Sequence, residues 1–110
     1  MTSELKEFVR LFNAEKFFEA HEVLETLWRS DIQSPQAPFF QGLIQLAAAL
    51  VHVQKQNPVG ARRLWAEAGQ KLSSYPSPYH GIDTAALLTA ARPCVESNAA
   101  FPRIKFISET

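Results

Sequence analysis

The sequence predicts an all-α fold: a compact bundle of two antiparallel helical hairpins, a fifth short helix and an extended C-terminal arm. Three observations carry this expectation. Apolar residues recur at three- and four-residue spacing along most of the chain. Proline, glycine and asparagine interrupt that pattern at helix-length intervals. No two alternating segments bracket a hairpin turn signal. A chain of 110 residues with 46% apolar content fits a single domain, residues 1–110, built on one core.

The first helix spans about Ser3 to Phe12, with Leu5, Phe8, Val9 and Phe12 on one stripe, and Asn13 breaks it. The second covers about Glu15 to Arg29, its apolar face set by Phe17, Ala20, Leu24, Leu27 and Trp28. Pro35 and Pro38, among small polar residues, mark the loop that follows. The third helix begins near Pro38, which suits a first turn, and runs to about Gln56. Asn57-Pro58 is a restart, with an N-cap residue followed by a proline at the first helical position. The fourth helix then continues to about Ser74. Pro76, Pro78 and Gly81 make the next segment a loop. Asp83 is the expected cap of the fifth helix, with Ile82 and Leu87 placed as a hydrophobic staple. Pro93 should stop or kink that helix near Arg92, and residues 99–110 read as an extended tail. The Asn13 and Asn57 turns suggest repeated helix–turn–helix units, by analogy with tetratricopeptide pairs.

Eleven basic residues offset eleven acidic ones, so no net field steers the chain toward nucleic acid or an anionic membrane. The most apolar stretch, Phe39 to Val53, is interrupted by Gln41, Gln45 and His52 and is too short for a bilayer, which takes about 20 residues. The N-terminus lacks the basic start and apolar core of a signal peptide. With one cysteine, Cys94, the expectation is a soluble cytoplasmic protein.

Polar groups stand where apolar ones belong. On a helical wheel His21 falls within the face set by Phe17, Leu24 and Trp28, and Glu25 lies one turn on at its edge. On the third helix Gln41, Gln45 and His52, with Ala48 between them, fall within about 40° of one another. A buried unpaired polar group costs about 1–3 kcal/mol, so these five residues need partners. They are expected to converge, either as a structural hydrogen-bond network or as a ligand pocket. His21, Glu25 and His52 could also form an open site for a divalent metal, with Glu22 as general base.

Two familiar patterns fail here. His21-Glu22-Val23-Leu24-Glu25 begins like the zinc-peptidase pattern His-Glu-x-x-His, but Glu25 stands where the second histidine must be. The di-iron signature Glu-x-x-His is absent, because Phe18 stands three residues before His21. Trp28 and Trp65 read as core, with Trp28 buried against the first and third helices. Arg62-Arg63 reads as a solvated face, Cys94 as an inert thiol, and His80 as an exposed loop residue.

The run from Phe17 to Arg29, FFEAHEVLETLWR, carries a family resemblance. It is renewed at Phe40-Gln41-Gly42-Leu43-Ile44-Gln45-Leu46-Ala47-Ala48-Ala49-Leu50, at His52, at Asn57, at Gly60-Ala61 and at Gly81-Ile82-Asp83. Over about residues 4–92 the chain resembles domain-of-unknown-function family 309, small all-helical proteins of bacteria and archaea. The resemblance implies a helical-hairpin bundle and brings no activity with it. The expected function is a binding or interaction module for a small molecule or protein, with self-association left open. The alternative is a metal-dependent enzyme, such as a hydrolase, and a third option is a scaffolding adaptor.

Overall fold

The computed structural model describes residues 3–106, and the expected tail from Ile107 to Thr110 lies outside the described residues. Among the described residues there are five helices: α1 (Ser3–Asn13), α2 (Phe17–Ser30), α3 (Ala37–Gln54), α4 (Pro58–Leu72) and α5 (Thr84–Ser97). Each forms for a reason legible in its residues. In α1, Leu5, Phe8, Val9 and Phe12 are buried on one stripe beside Leu11. The α3 helix has a proline in its first turn and buries ten residues, which makes it the central element. It packs against both α2 and α4, while α1 covers α2 and α5 covers α4.

Two turns share one construction. At the end of α1, Lys16 N–H donates to the Leu11 carbonyl at 2.9 Å and Glu15 N–H to Phe12 at 3.0 Å, with Glu15 left-handed at φ 62°. At the end of α3, Asn57 N–H donates to His52 at 2.8 Å and Gln56 N–H to Val53 at 3.0 Å, with Gln56 at φ 58°. Both are Schellman motifs that satisfy carbonyls a helix end would otherwise orphan. In each, the residue closing one helix also stands at the N-cap position of the next: Lys16 for α2, without a side-chain cap, and Asn57 for α4, whose side chain accepts from Gly60 N–H. The helix-breaking role expected of Asn13 therefore belongs to Glu15, and α2 starts two residues later than Glu15. Asn13 stays helical and uses its side chain elsewhere.

The fifth helix departs most from expectation. It passes through Pro93 and ends at Ser97, closed by left-handed Asn98 at φ 56°. Proline removes the bond that Thr89 carbonyl would accept, but Thr89 and Pro93 are both exposed, so water can serve that carbonyl. Leu87, Ala91, Cys94 and Val95 are buried on the opposite side, and their burial favours continuing the helix. The Asp83 cap forms as expected, its carboxylate accepting from Ala86 N–H at 3.0 Å, and both staple residues, Ile82 and Leu87, are buried.

The arm after α5 is extended and returns to the start of the bundle. Phe101 meets Phe17 at 5.0 Å between ring centroids, and Ile104 is buried. Asn13 receives Ile104 with both atoms of its amide: Ile104 N–H donates to Oδ1 at 2.7 Å, and Nδ2 donates to the Ile104 carbonyl at 2.8 Å. Isolated bridges join Tyr79 to Ile82 and Ile82 to Phe106. The loop before α5 contains a cis Ser77-Pro78 peptide.

The clamp at Asn13 sets an expected outcome. Asn13→Ala leaves two partly buried backbone groups of Ile104 unpaired and should cost about 1–2 kcal/mol in urea unfolding. Hydrogen exchange should quicken at residue 104, and unchanged exchange there would rule the clamp out.

A second outcome concerns Asp83. Its carboxyl is held below the ordinary aspartate range, first by the Ala86 N–H and then by the Ser77 hydroxyl. A pKa lowered by folding stabilises the protein above that range and stops doing so as pH falls through the lower folded value. The protein should therefore exceed an Asp83→Asn variant in stability near neutral pH and converge with it in acid. A stability difference independent of pH would contradict this account.

Candidate functional site

Two helices place the five expected residues, and all five are half-buried. On α2, the spacing of four brings His21 Nε2 to 3.1 Å from the Glu25 carboxylate, and Arg29 pairs with the other oxygen of Glu25 at 2.5 Å. His21 Nδ1 lies 3.2 Å from the Phe18 carbonyl. Both partners of the ring are acceptors, so the neutral imidazole satisfies one contact and the imidazolium both. Glu22 is exposed.

On α3 the polar residues form the open line of an enclosed helix. Between Phe39 and Leu50 every residue is buried except Gln41, Gln45 and Ala48, and His52 continues the same line one turn on. Gln45 accepts from Lys71 Nζ of α4 at 2.9 Å. That reach depends on a close crossing of α3 and α4, because a Cβ at Gly42 would come within 2.9 Å of Leu72. Gln41 has no side-chain hydrogen bond among the described residues.

His52 is held more firmly than a surface histidine needs to be. Asn57 accepts from Gly60 N–H with Oδ1 at 3.2 Å, which leaves its Nδ2 to donate to His52 Nδ1 at 3.0 Å. The neutral ring then carries its proton on Nε2. Gly60 lies directly beneath: a Cβ there would sit 2.9 Å from His52 Nδ1. The end of α3 is tied to the turn between α1 and α2 by Gln54, whose side-chain amide donates to the Glu15 carbonyl at 3.0 Å.

The structure thus brings His21 to Glu25, Gln45 to Lys71 and His52 to Asn57. Among the described residues no hydrogen bond joins the α2 pair to the α3 line. Nor does any group of three or more His, Cys, Asp or Glu side chains stand where it could hold a metal ion. His21, Glu25 and His52 are therefore not gathered as a ligand set.

Several other readings change. His80, expected to be exposed, is half-buried against Phe39, Phe40 and Tyr79 and contacts the Gln36 side chain. Tyr75 joins that aromatic cluster and donates its hydroxyl to the Pro35 carbonyl at 2.8 Å. The dense aromatic content of Tyr75, Tyr79 and His80 was a signal of packing in an otherwise loop-like segment. Trp28 and Trp65 pack at the edge of the core rather than within it, and Trp65 donates to the Leu88 carbonyl at 3.2 Å. Cys94 is fully buried, which pushes its thiol pKa up, with the charge of Glu15 adding to the effect, so it is a poor nucleophile. Arg62 and Arg63 are exposed, as expected. No helix among the described residues is long and apolar enough to cross a membrane.

The α2 ladder is partly exposed, so its pairs should contribute little to stability. Glu25→Ala should shift the urea-unfolding free energy by less than about 1 kcal/mol. A loss several times larger would place Glu25 in a structural network instead.

The family described as Domain of unknown function (DUF309) matches residues 5–64, more than half of the chain, and the chain belongs to that family. The match takes in α1 to α3 and the start of α4, with all five candidate residues; Gly81-Ile82-Asp83 lies beyond it. Uncharacterized protein YpuF of Bacillus subtilis (strain 168) is 44% identical over 52 residues, 47% of this chain. The chain matches 30% of that relative's length.

Proposed function

We propose that this DUF309 protein is a binding module, with Gln41, Gln45 and His52 of α3 as its recognition line. Lys71 of α4 borders the line at Gln45, and His21 and Glu25 of the neighbouring α2 are proposed as its second edge. The ligand class is a small polar molecule carrying a carboxylate or amide. One observation carries the reading: between Phe39 and Leu50 the most enclosed helix of the bundle opens only at Gln41, Gln45 and Ala48, and His52 follows one turn on.

The chemistry of the line supports the ligand class. The Gln41 amide offers two donors and an acceptor, and Lys71 adds a cation beside Gln45. The Asn57 contact leaves His52 Nε2–H to donate outward. Ala48 supplies a small floor between the two glutamines and His52. A cytoplasmic setting is part of the proposal and rests on the single reduced, buried cysteine.

Amide-resolved NMR titration with free glutamine, glutarate and succinate tests this. At least one probe should shift residues 41, 45, 48 and 52 in a saturable way. Gln45→Ala should weaken that probe about tenfold or more, while the urea midpoint stays near that of the parent. Shifts confined to other surfaces, or binding indifferent to Gln45→Ala, would end the proposal.

A further inference from the structure

A second site lies away from the polar line, between the start of α5 and the C-terminal arm. It is a cavity of about 290 Å³. Its walls are Ile82, Ala86, Leu87, Ala90 and Ile104. The room comes from α5, where positions 83, 86, 87 and 90 form one helical stripe and two of them are alanine. Ala86 and Ala90 remain exposed although they line it, so the cavity communicates with solvent. Its volume is many times the roughly 30 Å³ that one water occupies in liquid. Water held against such walls finds few hydrogen-bond partners, and an apolar group that displaces it gains affinity.

The arm forms a fixed wall. Ile104 is clamped by both atoms of the Asn13 amide, and Phe106 is bridged to Ile82. Ile104 is buried, and the exposed Arg103 and Lys105 on either side of it in the chain border the cavity as well. Neither cation has a carboxylate partner among the described residues. Asp83 also borders the cavity, but its Oδ1 already accepts from Ala86 N–H and the Ser77 hydroxyl. Among the described residues the rim therefore carries two cations against one carboxylate, a net positive count.

We propose that this cavity binds an amphipathic anion, an acyl chain of about eight carbons ending in a carboxylate. The size fits the lower end of small-molecule pockets, near 300 Å³. The chain lies against Leu87 and Ile104, and the carboxylate meets Arg103 and Lys105 at the mouth. Anchoring at both ends of the arm means little ordering is needed on binding. The site lies outside the span matched by the family, so it belongs to this chain's own C-terminal part.

Octanoate and 1-octanol, titrated into the full chain and followed by calorimetry and amide NMR, separate the two halves of the claim. Octanoate should saturate with shifts at residues 86, 87, 90 and 104. Arg103→Gln with Lys105→Gln should weaken octanoate about tenfold and change octanol less than about twofold. Ala90→Leu should abolish both, with its helical signal and thermal midpoint confirming a folded protein. Salt should weaken octanoate alone. The proposal is overturned if octanoate does not saturate, if its shifts fall on α2 and α3, or if the double substitution leaves its affinity unchanged.

Discussion

The constraint behind this architecture is that α3 is apolar on nearly every side and must be enclosed. Ten of its residues are buried, and neither α2 nor α4 alone could cover them. Packing on both flanks follows, with α1 supporting α2 and α5 supporting α4. Gly42 tightens the α4 side by letting Leu72 approach where a Cβ would collide. The arm closes over the α1–α2 end of the bundle, where Phe101 packs on Phe17 and Ile104 enters the core.

Enclosing one helix between two neighbours requires short connections, and short connections expose backbone groups. The chain solves this twice in the same way, with a left-handed Glu15 and a left-handed Gln56. A side chain in that conformation costs roughly 1–2 kcal/mol. Two backbone hydrogen bonds at each turn hold the geometry regardless. The position is one that glycine would fill most easily, so local preference yields here to the packing of the helices it joins.

Much of this was legible beforehand, and the misses share a physical cause. Asn57 and Asp83 were readable as caps because capping is local chemistry within four residues. The central role of α3 was readable because a helix apolar all round can only be interior. Left-handed Glu15 was not readable, since nothing in its residue type prefers that conformation. That Pro93 does not stop the helix was not readable, because its effect depends on whether the freed carbonyl meets water, and that is set by burial. The five polar residues were found by periodicity, but their partners Lys71 and Asn57 depend on how α3 meets α4. His80 was missed for the same reason: its neighbours Phe39 and Gln36 are distant in sequence.

Half-buried polar residues are ordinary on a protein surface, so the line on α3 needs more than its polarity to count as a site. His52 supplies it. A solvated histidine needs no fixed tautomer, yet Asn57 donates to one nitrogen while its other atom caps α4. It needs no glycine beneath it, yet Gly60 leaves room for the ring where any Cβ would press on it. Cap, glycine and ring form one unit that orients Nε2 away from α4. Gln45 is oriented by Lys71 in a comparable way, across a helix crossing that Gly42 makes close enough. Side chains fixed by their own supporting contacts are what a recognition surface requires, because their ordering is complete before any ligand arrives. In the proposed reading these fixed groups do not close on one another, and Gln45 and His52 both stand where the central helix is part-exposed.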